Sequence, residues 1–273
     1  MMKVLFISDG VDVEQGAFEF IKEINRRSPV FLYGIFLPKR SLGYWLLRAG
    51  SFFLLPPYNF QTEEKLIAAA CRFSDLCREH HINHSSYSGR GEAPLLKLRR
   101  ESRYADYLVV SYTIFQQKNK KLRKPRQYLS RILHHCECPV IVVPDQFVFP
   151  SKNIIAFDAS ASSVYALKQF FYLLPDLGAN STILVNVGAN NNKNGGLNKT
   201  NLESLTINHY HSLDPTCLRL NTANELSEWV VSQQAAILVA GACGRSRASQ
   251  LIKRSFLSGI LKDKRMPLFV AHR

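Results

Sequence analysis

Three landmarks occur twice in this chain in the same order, and that repetition constrains the fold more than any single motif. A strand-like run ends near an acid in Val4-Leu5-Phe6-Ile7-Ser8-Asp9 and again in Ile154-Ile155-Ala156-Phe157-Asp158-Ala159-Ser160. Ala105-Asp106-Tyr107-Leu108-Val109-Val110-Ser111 is matched by Ala235-Ala236-Ile237-Leu238-Val239-Ala240-Gly241. Cys138-Pro139-Val140-Ile141-Val142-Val143 is matched by Met266-Pro267-Leu268-Phe269-Val270-Ala271. An ordered set of matches of this kind reads as a tandem duplication. The boundary falls where prolines and polar residues interrupt the strands, between Pro144 and Lys152, giving domains 1–147 and 148–273.

Within each half, strands alternate with helix-like stretches. Ala17, Phe20, Ile21 and Ile24 recur at helical spacing within 13–26, and Leu66, Ala70, Phe73 and Leu76 do so within 62–79. Residues 162–174 and 223–232 follow the same pattern in the second half. Strand–helix alternation predicts right-handed crossovers and a parallel sheet, hence an α/β, Rossmann-like fold in each half. A ligand would then sit outside the carboxyl ends of the strands, at the switch point of the sheet. Asp9, Ser111, Asp158 and Gly241 are expected on that rim.

The halves differ where loops belong. The first carries an apolar, aromatic-rich insert, 37–60, ending in Pro56-Pro57, readable as a lid, a partner surface or a hydrophobic cap. The second has the polar run Asn190-Asn191-Asn192-Lys193-Asn194-Gly195-Gly196, after which the crossover segment 202–211 is too short for a full helix. Asn198-Lys199-Thr200 matches a glycosylation sequon by chance alone if the chain is not exported.

Composition limits the partners. A hydrophobic content of 46% supports a real core, and the net charge of +14 favours anionic ligands without choosing among them. Met1-Met2-Lys3 runs straight into a strand, giving the expectation of no secretory signal and a cytoplasmic location. The longest apolar region, 42–58, is broken by Gly43, Arg48, Gly50 and two prolines, so no membrane span is expected. The six cysteines then read as reduced, small hydrophobes.

The densest chemistry is in Leu238-Val239-Ala240-Gly241-Ala242-Cys243-Gly244-Arg245-Ser246, where a buried strand opens into glycines and then into basic and hydroxyl side chains. Such a loop can hold phosphate on its backbone N–H groups, or it can be a tight turn that only joins strand to helix. Together with 155–160 and the closing Cys138-Pro139-Val140-Ile141-Val142-Val143-Pro144, it resembles the universal stress protein family in its tandem two-domain form, over nearly the whole chain. The resemblance implies two open five-stranded parallel-sheet sandwich domains, similar to the adenine nucleotide alpha-hydrolase architecture, paired as an internal pseudo-dimer, with further homo-oligomerisation left open. Some members bind ATP, through an Asp after the first strand and a loop of Gly, two residues, Gly, nine residues, then Gly and Ser or Thr. Asp158, Gly241, Gly244 and Ser255 match that pattern, while Arg254 stands at the last glycine. An arginine there either blocks the approach of backbone to phosphate or supplies a charge-assisted bond of its own. With Val187, Arg245 and Ser246, these residues form the candidate site for ATP or another adenine nucleotide.

The first half keeps Asp9 but has no glycine from 111 to 128, so nucleotide is not expected there. In place of the loop it has Lys118, Lys120, Lys121, Arg123, Lys124 and Arg126, a solvated basic loop or a polyanion grip; without a recognisable module, nucleic acid is not the expected partner. His134-His135-Cys136-Glu137-Cys138 is too tightly spaced to surround a metal, and none is predicted. His209 and His211 lack a nearby acid or cysteine pair. No nucleophile elbow surrounds Ser160, and neither the Gly-x-Gly-x-x-Gly fingerprint nor the Gly-x-x-x-x-Gly-Lys-Ser loop occurs. The expectation is a non-enzymatic stress-response or signalling module, with slow ATP hydrolysis left open. Its alternative is a nucleotide-independent protein that binds an unknown protein or polyanion through the insert and the basic loop.

Overall fold

The computed structural model describes residues 1–8, 13–37, 60–88, 94–115, 132–133, 135–157, 160–187, 213–220, 223–241 and 266–271. The chain divides into two compact units, Met1–Asp145 and Gln146–Arg273.

Unit 1 begins with β1 (Met2–Ser8), α1 (Gln15–Arg27), β2 (Val30–Phe36), α2 (Phe60–Glu79) and β3 (Asn83–Ser88). It continues with α3 (Pro94–Ser102), β4 (Tyr107–Ser111), a short 3-10 turn (Tyr112–Phe115) and β5 (Val140–Val143). Its strands run in the order β3-β2-β1-β4-β5, and every pairing is parallel. Unit 2 contains β6 (Lys152–Ala156), α4 (Ala161–Leu173), the single turn α5 (Pro175–Gly178), β7 (Ser181–Val187), β8 (Leu213–Leu220), α6 (Ala223–Ser232), β9 (Ala236–Gly241) and β10 (Leu268–Ala271). Its order, β8-β7-β6-β9-β10, repeats that of unit 1 with the same parallel sense.

Parallel strands cannot be joined by a hairpin, so helices lie between them and the central strands are buried on both faces. That is why β4 and β9, each flanked by strands on both sides, are apolar runs without alternation, buried at every residue. Edge strand β3 obeys the opposite rule. Asn83-His84-Ser85-Ser86-Tyr87-Ser88 is polar and only partly covered, which blunts an edge that would otherwise invite pairing.

Helix α1 buries Ala17, Phe18, Phe20, Ile21 and Ile24, the stripe that a 3.6-residue period places on one side. It ends where Ser28 turns extended while its N–H still bonds Ile24 O. Helix α2 buries Leu66, Ala69, Ala70, Phe73 and Cys77. Phe73 is the hub of the first core: its ring stacks on Phe6 at 5.5 Å and meets Phe36 edge-on at 5.4 Å and His84 at 5.9 Å. Helix α3 is tied to the start of β1 by charge. Glu101 takes Lys3 Nζ at 3.2 Å and Lys97 Nζ at 3.1 Å, while the nearly buried Lys97 also lies 4.1 Å over the Tyr87 ring. In unit 2, Asn153 is fully buried on β6, and its amide donates to Leu177 O at 2.7 Å and Thr182 Oγ1 at 3.0 Å, so it joins β6 to α5 and β7.

Because Phe73 joins β1, β2 and β3 to α2 and meets Phe18 of α1 edge-on at 6.5 Å, Phe73→Ala is expected to cost roughly 3–5 kcal/mol of unit 1 stability in urea denaturation. A loss below about 1 kcal/mol would mean that this core collapses around the cavity.

Candidate functional site

Strand order alone locates the crevice of each unit. In unit 2 the chain runs outward from β6 through β7 to β8, then returns to the other side of β6 for β9 and β10. The connections therefore diverge between β6 and β9, which pair side by side with Ala156 opposite Ala240. In open sheets of this kind a ligand lies outside the carboxyl ends at that point. Gly241 is the last residue of β9 and Val187 the last of β7, so they flank the carboxyl end of β6 from either side. Two strand spacings put them about 10 Å apart. Asp158, Gly244, Arg245, Ser246, Arg254 and Ser255 lie outside the described residues.

Helix α4 starts at the same rim. Ser160 caps it, its hydroxyl accepting from Ser163 N at 3.3 Å, while Ser163 Oγ donates to Ser160 O at 3.0 Å. The first turn of a helix this long carries unpaired N–H groups and the positive end of the dipole. Gly241 lets that turn come close. A Cβ added at Gly241 would stand 2.5 Å from the Ser162 carbonyl carbon and 2.8 Å from Ser163 N, against backbone that cannot swing away. The glycine that the sequence offers as part of a phosphate loop thus has a packing duty of its own: it seats the α4 N-terminus against the end of β9.

The corresponding rim of unit 1, between β1 and β4, is built differently. Ser8 is fully buried, and its carbonyl takes Leu37 N at 3.1 Å. Ser111 ends β4 where Gly241 ends β9, and its hydroxyl is engaged. It donates to Asp145 Oδ1 at 3.1 Å, accepts from Thr113 N at 3.2 Å and lies 2.8 Å from Thr113 Oγ1. Next to it, burial pushes the Tyr112 phenol up to about 12. Here the close approach is made by Gly16 of α1, whose added Cβ would stand 2.7 Å from Asp145 Cα. The cluster sets a carboxylate at the carboxyl ends of β4 and β5, which disfavours a phosphate at the same place. Asp145 lies two residues past β5, and two residues past β10 the sequence has Arg273, a reversal of charge between the copies.

The sequence predicts Ser111 and Gly241 on the rims, and both end their strands there. It carries no signal for Asp145 or Gly16. Asp145 falls in an interdomain segment that reads as linker, and Gly16 lies inside a helix where glycine has no local motif. His135, Cys136 and Cys138 sit before β5, at the opposite end of the sheet from the rim. His134, His209, His211, the basic run 118–126 and nearly all of the insert 37–60 lie outside the described residues. Among the described residues there is no group of three or more His, Cys, Asp or Glu that could hold a metal ion. No described helix is long and apolar enough to cross a membrane.

No protein-family model matches the sequence, and no curated protein matches it. Solved structures do. A universal stress protein from Archaeoglobus fulgidus DSM 4304 superposes with a TM-score of 0.69 at 12% identity, covering 100% of this chain and 96% of its own. The chain has the universal stress protein fold. A proposed universal stress protein from Pseudomonas aeruginosa UCBPP-PA14 gives a TM-score of 0.60 at 11% identity, covering 100% of this chain and 93% of that one. The cytoplasmic domain of a prokaryotic cation chloride cotransporter gives 0.50 at 11% identity, with 98% and 94% covered.

The packing duty of Gly241 has a direct test. Gly241→Ala is expected to destabilise the protein by about 1–3 kcal/mol, the usual range for overpacking, seen as a lower denaturation midpoint without nucleotide. A glycine needed only for phosphate would leave ligand-free stability unchanged.

Proposed function

We propose that this chain is a tandem universal stress protein, a non-enzymatic cytoplasmic module of stress response or signalling whose second half binds ATP or another adenine nucleotide. The observation that carries the reading is the β6–β9 crevice of unit 2. There Gly241 admits the serine-capped N-terminus of α4, so backbone N–H groups converge where the strand order puts a ligand. Asp158 comes two residues after β6 and takes the adenosine end. Gly244 lets backbone approach the phosphates, and Arg245, Ser246, Arg254 and Ser255 supply donors to them. Val187 completes the set at the end of β7. The first half binds no nucleotide, because Ser111 and Asp145 occupy its rim with a hydroxyl and an acid. The pairing of the halves as a pseudo-dimer and any further self-association belong to the same proposal.

A second reading has support of its own. The same fold forms a cytoplasmic domain of a cation chloride cotransporter, so it also serves as a module within a different kind of protein. Under that reading the chain acts without nucleotide and binds a protein or polyanion.

Calorimetric titration with ATP separates the two. One binding event per chain, abolished by Gly244→Asp and unaffected by Ser111→Ala, is the expected result. No heat at millimolar ATP rejects the nucleotide part. A salt-sensitive complex with a polyanion, lost when Lys120, Lys121 and Lys124 are changed to Glu, would then favour the second reading. Any ATP turnover that survives changes at Asp158 and Ser255 is contamination, not hydrolysis by this chain.

A further inference from the structure

Cys136 and Cys138 flank Glu137 in the turn that leads through Pro139 into β5, and both thiols are free. Their sulfurs stand 3.5 Å apart, and the Cys136 thiol also donates to Cys138 O at 3.4 Å. The turn is held from several directions. Cys136 N donates to Ile132 O at 2.7 Å, and Pro139 O takes Leu108 N at 2.9 Å. Glu137 N donates to the buried Ser102 Oγ at 2.9 Å. The Glu137 carboxylate takes Arg99 Nε at 2.9 Å and Arg103 Nη2 at 3.1 Å, and these two guanidinium groups hold its pKa down to about 2. Here a fixed turn presents sulfur to sulfur, needing only about 1.5 Å of closure to reach bonding distance.

We propose that Cys136 and Cys138 are a modification site, a dithiol that a hydroperoxide converts to a disulfide within this turn. The Cys136 thiolate attacks one peroxide oxygen; an S–O bond forms, the O–O bond breaks, and the departing oxygen leaves as water or an alcohol after taking a proton. Cys138 sulfur then attacks the Cys136 sulfenic acid; the S–S bond forms, the S–O bond breaks, and a second water leaves with the Cys138 proton. The sulfurs together lose two electrons and the peroxide gains two. The hydrogen bond with Cys138 sets the order of events: it favours the Cys136 thiolate and, with burial, holds Cys138 protonated. Both cysteines are covered, at 1% and 4% exposure, but the cover is a surface turn whose Glu137 side chain is 38% exposed. Local opening of the turn admits the oxidant without unfolding of the unit. A bridge across one intervening residue closes almost no loop, so its effect is a change of turn geometry ahead of β5 and not a gain in global stability.

Peptide mapping tests this in the full chain. Trypsin cutting after Arg131 and Lys152 releases one peptide, 132–152, that holds Cys136 and Cys138 and no other cysteine. After hydrogen peroxide treatment and alkylation under denaturing conditions, this peptide is expected without alkyl groups and two hydrogens lighter than the dithiol. Reductant should restore both alkylation sites. In Cys138→Ser, dimedone should trap a sulfenic acid on Cys136; in Cys136→Ser, Cys138 should remain a thiol. Full alkylation of both cysteines at peroxide doses that oxidise the exposed Cys71 overturns the proposal. So does a bridge from either cysteine to another peptide. If the variants do not fold, the wild-type map alone decides.

Discussion

Parallel pairing governs this molecule. A parallel strand can be joined to its neighbour only by a crossover long enough to return the chain to its starting end, and the crossover elements cover both faces of the sheet. Central strands must therefore be apolar on both sides, as β4 and β9 are. All carboxyl ends fall on one edge of each sheet. The order 3-2-1-4-5 leaves a crevice beside the first strand of each unit, where the outgoing and returning connections part. Any site on this fold is then built from the loops that leave the first and fourth strands and from the helix N-terminus that stands over them.

Much of that was legible in the chain. Buried strands are runs that no helix period explains, and the repeated order of Val109-Val110-Ser111 and Val239-Ala240-Gly241 against their neighbours pointed to two copies of one sheet. The period of Ala17, Phe20, Ile21 and Ile24 placed α1 to within two residues. Strand β3 escaped because an edge strand has no buried face to impose alternation, and Asn83-His84-Ser85-Ser86-Tyr87-Ser88 reads as loop. Helix α3 escaped because its stabilisation comes from tertiary partners. Lys97 is covered by Tyr87 and Glu101 takes Lys3 from β1, and nothing local announces either contact. The site was legible only as strand ends. Which groups meet there depends on backbone approach, and a glycine required by a neighbouring helix looks the same in sequence as one required by a ligand.

Gly241 shows the requirement of a neighbouring helix. Seating α4 against the end of β9 costs the strand its last side chain, because the Ser162 and Ser163 backbone fills the space a Cβ would take. The fold that packs this way is shared at 11–12% identity by universal stress proteins and by a domain of an ion cotransporter.

The two units end their fourth strands in different ways. Unit 1 moves the close approach to Gly16, puts Ser111 at the end of β4, and satisfies its hydroxyl with Asp145 and Thr113. A rim whose hydroxyl is already bonded and whose nearest charge is an acid gains nothing from a phosphate, which would have to displace one and face the other. Unit 2 keeps the glycine and has Arg273, a cation, at the sequence position equivalent to Asp145. One rim is closed by its own side chains, and the other ends in a glycine seated against the first turn of a helix.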